Sequence, residues 1–222
     1  MNHIYCISGL GADHRIFNKL NVQDSEFHFI EWLQPESPTE SLEHYAGRMV
    51  AQIQHSPIIL VGVSFGGMMA IELAKRVEAK AVVLIASIKS KKELPLWMKS
   101  CGKLKLDKLL PAKPIRSYPG SKMLRPLQDY FLGVTNDEER TIANEFRDNV
   151  DPHYLRWSIN KIFNWQNEWT PGNIYHIHGD NDKLFPIKKV SPTHTIQEGG
   201  HFMVMSKCSE ISKILGEISG LG

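Results

Sequence analysis

Cysteine is scarce in this chain of 222 residues: Cys6, Cys101 and Cys208 are scattered, odd in number and free of any C-x-x-C spacing. That excludes a disulfide-built miniprotein and fits a reducing compartment, where small buried thiols are the default. An excess of one charge is also missing. Lys and Arg number 26 against 24 Asp and Glu, so the net charge of +2 names no partner. Long apolar runs are absent as well; a stretch such as Ala81 to Ala86 is far short of the roughly 18 residues that a bilayer-spanning helix needs. The opening M-N-H-I-Y-C-I-S-G-L has neither the basic start nor the long apolar core of a secretory signal. With no internal repeat or low-complexity tract, solenoids and disordered tails drop out. The expectation is a soluble, cytoplasmic protein without stable membrane insertion.

What is present is ordinary globular composition, 42% apolar and 23% charged, in a chain long enough for one domain to bury its own core. Six short runs read as strands: Ile4 to Ser8, Phe27 to Trp32, Ile58 to Val63, Ala81 to Ala86, Ile174 to His178 and His194 to Gln197. I-I-L-V-G-V and A-V-V-L-I-A are apolar on both faces, which suits the middle of a parallel sheet rather than a half-wet antiparallel one. Between strands, Leu42, Tyr45, Ala46, Met49, Val50 and Ile53 recur at helical spacing over Ser41 to Ile53. Helices are also expected from Gly66 to Val77 and from Met203 or Ser206 to Ile218. Strand and helix alternate over residues 1–87 and again from about 171, the pattern of an α/β fold with right-handed crossovers.

Residues 88–170 break that pattern, with helix signals and no convincing strand. Thr135 with Glu138 suggests a capping box, and Asp151-Pro152 the N-cap and first residue of another helix. From Ile88 to Pro126 there are 11 basic and 2 acidic residues; from Leu127 to Thr170, 4 basic and 8 acidic. This reads as a helical insertion of polarised charge. The segment also holds Trp97, Trp157, Trp165 and Trp169, which could glue it to the core or wall an apolar pocket.

The sharpest motif is Gly62-Val63-Ser64-Phe65-Gly66, between an apolar strand and a helix. A serine at that junction sits on a tight turn at the carboxyl edge of the sheet, where small flanking residues avoid a clash and the helix N-terminus favours developing negative charge. A glycine-rich phosphate turn, or a plain connection with Ser64 as N-cap, is the competing reading. A serine hydroxyl needs a base and an orienting carboxylate. Downstream, a strand ends in His176-Ile177-His178-Gly179-Asp180-Asn181-Asp182 with Pro186 beyond, and Glu198-Gly199-Gly200-His201 follows the last strand.

The order Ser, Asp, His in these settings resembles the α/β-hydrolase superfamily, of the small type with a helical lid. The match covers residues 1–87 and 171–222; the insertion is similar only in being helical. The resemblance implies a single α/β-hydrolase domain of about six mostly parallel strands flanked by helices, its core at 1–87 and 171–222 and a lid at about 88–170. It implies Ser64 as nucleophile, His201 as base and Asp182 as acid, with Asp180 as the competing carboxylate. The oxyanion would meet the backbone N–H of Phe65 and, from the loop Ser8-Gly9-Leu10-Gly11-Ala12-Asp13, that of Leu10; many relatives have His-Gly where this chain has Ser8-Gly9. The implied activity is hydrolysis of a carboxylic ester or thioester through an acyl-enzyme, without metal or cofactor. The insertion's basic stretch suits an anionic small-molecule substrate. Lyase or C–C hydrolase chemistry on the same triad stays open, as does a non-catalytic small-molecule-binding module. A divalent-metal site at His176, His178 and Asp180 is a further alternative, weakened by the lack of the final histidine of the metallo-β-lactamase run. The sequence does not interleave charges and aromatics as a nucleic-acid groove would, and it leaves oligomeric state open.

Overall fold

The computed structural model describes residues 1–109, 117 and 121–220. Its six strands are β1 (Asn2–Ile7), β2 (Ser25–Ile30), β3 (Ile58–Val63), β4 (Ala79–Ile85), β5 (Ile174–Gly179) and β6 (His194–Ile196). They form one wholly parallel sheet in the order β2-β1-β3-β4-β5-β6. β3, apolar on both faces, lies inside the sheet and is buried throughout. Period-2 alternation divides the core. Tyr5, Ile7, Leu60 and Leu84 meet α1 (Leu42–Met49) and α2 (Phe65–Ala74) on one face. Ile4, Cys6, Val61 and Val83 meet α7 (Met203–Ser206) and α8 (Cys208–Ser219) on the other.

Boundaries shift from those expected. β2 begins at Ser25 and stops at Ile30, because on an edge strand with a free side the polar Ser25 and Glu26 are no bar to pairing. Trp32 therefore lies beyond the strand. The α1 helix tightens into a 3-10 turn at Val50–Gln52, and α2 ends at Ala74 rather than Val77. The closing helix is interrupted at Lys207, whose φ of −115° is not helical.

Between β4 and β5 run α3 (Leu96–Lys103), α4 (Arg125–Leu132), α5 (Asp137–Asn149) and α6 (Pro152–Asn164), with no strand among the described residues. Lys113 and Arg116 of the basic stretch lie outside those residues. The expected Thr135–Glu138 box is corrected by one position: Asn136 Oδ1 accepts the Glu139 N–H at 2.9 Å, while Glu139 Oε2 accepts the N–H and hydroxyl of Thr135. Helical phase decides it, since Glu139, Ala143 and Phe146 share the buried face. Asp151 caps α6 as expected, accepting from His153 and Tyr154. Two of the four tryptophans tie this segment to the core: Trp157 Nε1 donates to the Glu40 carbonyl and Trp165 Nε1 to the buried Glu72 carboxylate, each at 3.0 Å. Trp97 and Trp169 stay exposed. No helix among the described residues is long and apolar enough to cross a membrane.

Candidate active site

Ser64 occupies the single residue between β3 and α2, at φ 55° and ψ −118°. Positive φ at a residue with a Cβ costs on the order of 1–3 kcal/mol, so the surroundings must enforce it. A Cβ at Gly62 would lie 2.2 Å from the Gly66 carbonyl oxygen, and one at Gly66 would lie 2.2 Å from that of Ile7. The second glycine of the pair, Gly67, has its own reason: a Cβ there would meet Ser87 Oγ at 2.4 Å. Ser87 in turn donates to the Ser64 carbonyl at 2.6 Å, and the Ser64 N–H donates to Ile85 O at 2.9 Å. The turn is thus bound to β1 and β4 by backbone contact on both sides.

Asp182 and His201 arrive from the loops after β5 and β6, at the same sheet edge. The loop after β5 is pressed against the loop after β6, for a Cβ at Gly179 would lie 2.0 Å from Gly199 O. Asp182, 3% exposed, accepts the N–H groups of Leu184 and Phe185 on Oδ1, each at 2.8 Å. Its Oδ2 lies 2.8 Å from His201 Nδ1, and His201 Nε2 lies 2.8 Å from Ser64 Oγ. Burial alone would raise the Asp182 pKa, but the charge and hydrogen bond of His201 and the Phe185 N–H outweigh it and hold the carboxyl below its ordinary range. With Asp182 ionised, Nδ1–H of His201 donates to it and Nε2 is left to accept the Ser64 hydroxyl. Asp180, by contrast, is exposed.

His176 and His178 are fully buried behind this pair. His178 Nε2 donates to the Phe185 carbonyl at 2.7 Å, so its Nδ1 accepts from His176 Nε2 at 3.1 Å. Burial pushes His176 down to about 3, so it is neutral. Through His178 the pair reaches the Phe185 carbonyl, on the residue whose N–H Asp182 accepts. Asp180 is exposed while both histidines are buried, and the three do not gather as a metal grouping.

Phe65, first residue of α2, presents one of the helix's unsatisfied N–H groups beside Ser64. Leu10 lines the cavity on which Ser64 opens, in a loop so close that a Cβ on Gly9 would lie 3.5 Å from Ser64 Cβ. That loop is pinned by Ser8 Oγ donating to Ala12 O at 2.7 Å and by Trp32 Nε1 donating to Ser8 Oγ at 3.0 Å. Trp32 also stacks on Phe65, with centroids 5.0 Å apart and planes within 6°. One indole therefore steadies both candidate N–H donors. Sequence reading passed over it, although a residue just past the carboxyl end of a parallel strand is well placed for such a task. His14, in the turn after the Leu10 loop, is exposed, packed on Phe29 and 3.7 Å from Glu31.

The cavity measures about 350 Å³, and beyond Ser64, His201 and the Leu10 loop its wall is nearly all carbon, from Met98, Leu132, Phe146, Leu155, Ile159 and Phe163 among others. Arg147, its one permanently charged lining group among the described residues, is held by Asp129 at 2.6 Å. A wider space of about 640 Å³ adjoins it at Trp97, Leu132 and Leu184. The helical segment also touches the histidine loop directly. The Phe202 N–H donates to Leu132 O at 2.8 Å, and at Gly133 (φ 69°) a Cβ would lie 2.9 Å from Gly200 Cα.

Residues 8–99 match a family described as an uncharacterised protein family (UPF0227). No curated protein sequence matches the chain. Among solved structures it is similar to an esterase from Exiguobacterium antarcticum (12% identity, 99% of this chain and 92% of that one, TM-score 0.71). It is also similar to a thermophilic esterase from Thermogutta terrifontis (13%, 98% and 89%, TM-score 0.69). A third likeness is to the type II thioesterase BorB of the borrelidin biosynthetic cluster (17%, 98% and 92%, TM-score 0.63). Likeness of this extent at such identity is likeness of fold.

Proposed function

Because this chain has the α/β-hydrolase fold, we propose that it is a serine hydrolase acting on a carboxylic ester or thioester. The observation that carries the reading is the unbroken line from Ser64 Oγ through His201 to Asp182, with both contacts at 2.8 Å, at the mouth of a carbon-lined cavity. His201 takes the Ser64 proton as Oγ attacks the carbonyl carbon, and Asp182 holds the imidazole tautomer and offsets its positive charge. The N–H groups of Leu10 and Phe65 receive the oxyanion, in a water-poor pocket where such donors act strongly. His201 then gives its proton to the departing alcohol or thiol. Water repeats the sequence on the acyl-enzyme and restores Ser64. No metal or cofactor enters these steps.

The wall of the cavity suits an apolar acyl group, and the helical segment between β4 and β5 serves as its lid. The surplus of Lys and Arg from Ile88 to Pro126 favours an anionic leaving group. The test is covalent labelling by a fluorophosphonate together with turnover of a panel of esters and thioesters. Ser64→Ala is expected to abolish labelling and lower turnover by at least ~10⁴-fold with the fold intact. A folded wild-type protein that resists the probe would overturn the proposal.

A further inference from the structure

At the end of the sheet remote from Ser64, three imidazoles and a carboxylate meet. In the parallel register His3 lies beside Glu26 and Tyr5 beside His28, and alternation puts all four on one face. His55 joins them from the turn before β3, its ring stacked on His3 with centroids 3.6 Å apart. His3 Nδ1 is 3.0 Å from His28 Nε2, and Glu26 Oε2 is 3.5 Å from the first and 3.8 Å from the second. The point equidistant from the corners of a triangle with those sides lies about 2.0 Å from each, the bond length of Zn²⁺ to imidazole nitrogen and carboxylate oxygen. That point lies in the plane of the three atoms; an ion about 0.6 Å above it would sit about 2.1 Å from each, as in a tetrahedral shell whose fourth ligand lies on that side.

A fourth ligand is within reach if the half-buried His55 ring turns off its stack on His3. Ligand atoms of His3, His28 and His55 all lie within 4.8 Å of one another. His55 Nδ1 is engaged by the Tyr5 hydroxyl at 2.7 Å, itself fixed by the Gln54 N–H at 3.0 Å, which leaves Nε2 as the remaining ligand atom. An outer partner of this kind is what orients a metal-bound histidine. The other gathering of acidic and imidazole groups, Glu36, Glu40 and His44, differs in kind. Arg48 lies 2.9 Å from Glu40 and 3.5 Å from Glu36 and already neutralises it.

We propose that His3, His28 and Glu26, joined by His55 once its ring turns off the stack on His3, form a zinc site that cross-links β1, β2 and the entry to β3. The two nitrogen ligands from neighbouring strands, a carboxylate and near-tetrahedral spacing select Zn²⁺ over the oxygen-seeking Mg²⁺ and Ca²⁺. Five residue steps along β1, about 16 Å of strand, separate His3 from Ser8, so the site braces the sheet and takes no part in the proposed hydrolysis.

The test uses untagged full-length protein stripped with a chelator, then titrated with Zn²⁺ against a chromophoric competitor and with Co²⁺ followed by visible absorption. One tight equivalent and the intense absorption of tetrahedral Co²⁺ are expected. His28→Ala should weaken Zn²⁺ binding on the order of 100-fold or more, and Glu26→Gln, at an exposed side chain whose loss leaves folding intact, on the order of 10-fold. His14→Ala, elsewhere on the surface, should leave affinity unchanged. A wild type that binds less than one equivalent, or variants at His28 and Glu26 that bind as tightly as it does, would overturn the site.

Discussion

At the carboxyl end of the sheet, Ser64, Asp182 and His201 are held by backbone against backbone; at the amino end, His3, Glu26 and His28 are held by ring against ring. Gly62, Gly66 and Gly179 leave no room for a single added carbon, whereas the amino-end rings are only half-buried and Glu26 is open to solvent. Main-chain contacts of that kind cannot relax without moving the strands and loops that carry the three side chains. Half-exposed side chains can re-aim. One end is built for fixed geometry and the other for capture, and the first should be brittle where the second is tolerant.

The largest effect that would break this contrast concerns the carboxylates. Asp182→Asn is expected to lower kcat/KM for any ester turned over on the order of 10⁴-fold, while Asp180→Asn stays within about twofold, because only Asp182 reaches His201. Equal losses would mean that the loop is not set as described. Next, Gly62→Ala should cost about 3 kcal/mol of stability in denaturant unfolding, since its new methyl would meet main chain and not a side-chain tip. A smaller and more selective loss is expected of Trp32→Phe. It keeps the stack on Phe65 but drops the hydrogen bond to Ser8, and about a tenfold fall in kcat with KM nearly unchanged would mark a positioning role. At the tolerant end, His28→Ala should leave ester turnover within about twofold, whatever it does to zinc.

The sheet was legible because its strands carry their burial in their own composition; Ile58 to Val63 and Ala81 to Ala86 need no partner to be read. The elbow was legible for a similar reason, its glycines being adjacent in the chain to the serine they serve. Apart from Ser64, Asp182 and His201, which the resemblance supplied, what escaped depends on register or on meeting across the fold. Trp32 acts on Ser8 and Phe65, residues 24 and 33 positions away, and nothing near it in the chain announces this. His3 and His28 lie 25 positions apart, and only the pairing of β1 with β2 makes them neighbours. The cap of α5 was missed by one residue because Thr135 and Asn136 are nearly equal as capping side chains, and the burial of Glu139 breaks the tie.

The contact between Gly133 and Gly200 has a consequence for how this chain can vary. Elsewhere in its described residues, the segment joining β4 to β5 meets the core through side chains, as at Trp157 and Trp165. At residue 133 it meets the histidine loop through two α-carbons with nothing between them. There the tolerance is the width of a hydrogen atom, and any drift in the segment must be absorbed on either side of that point.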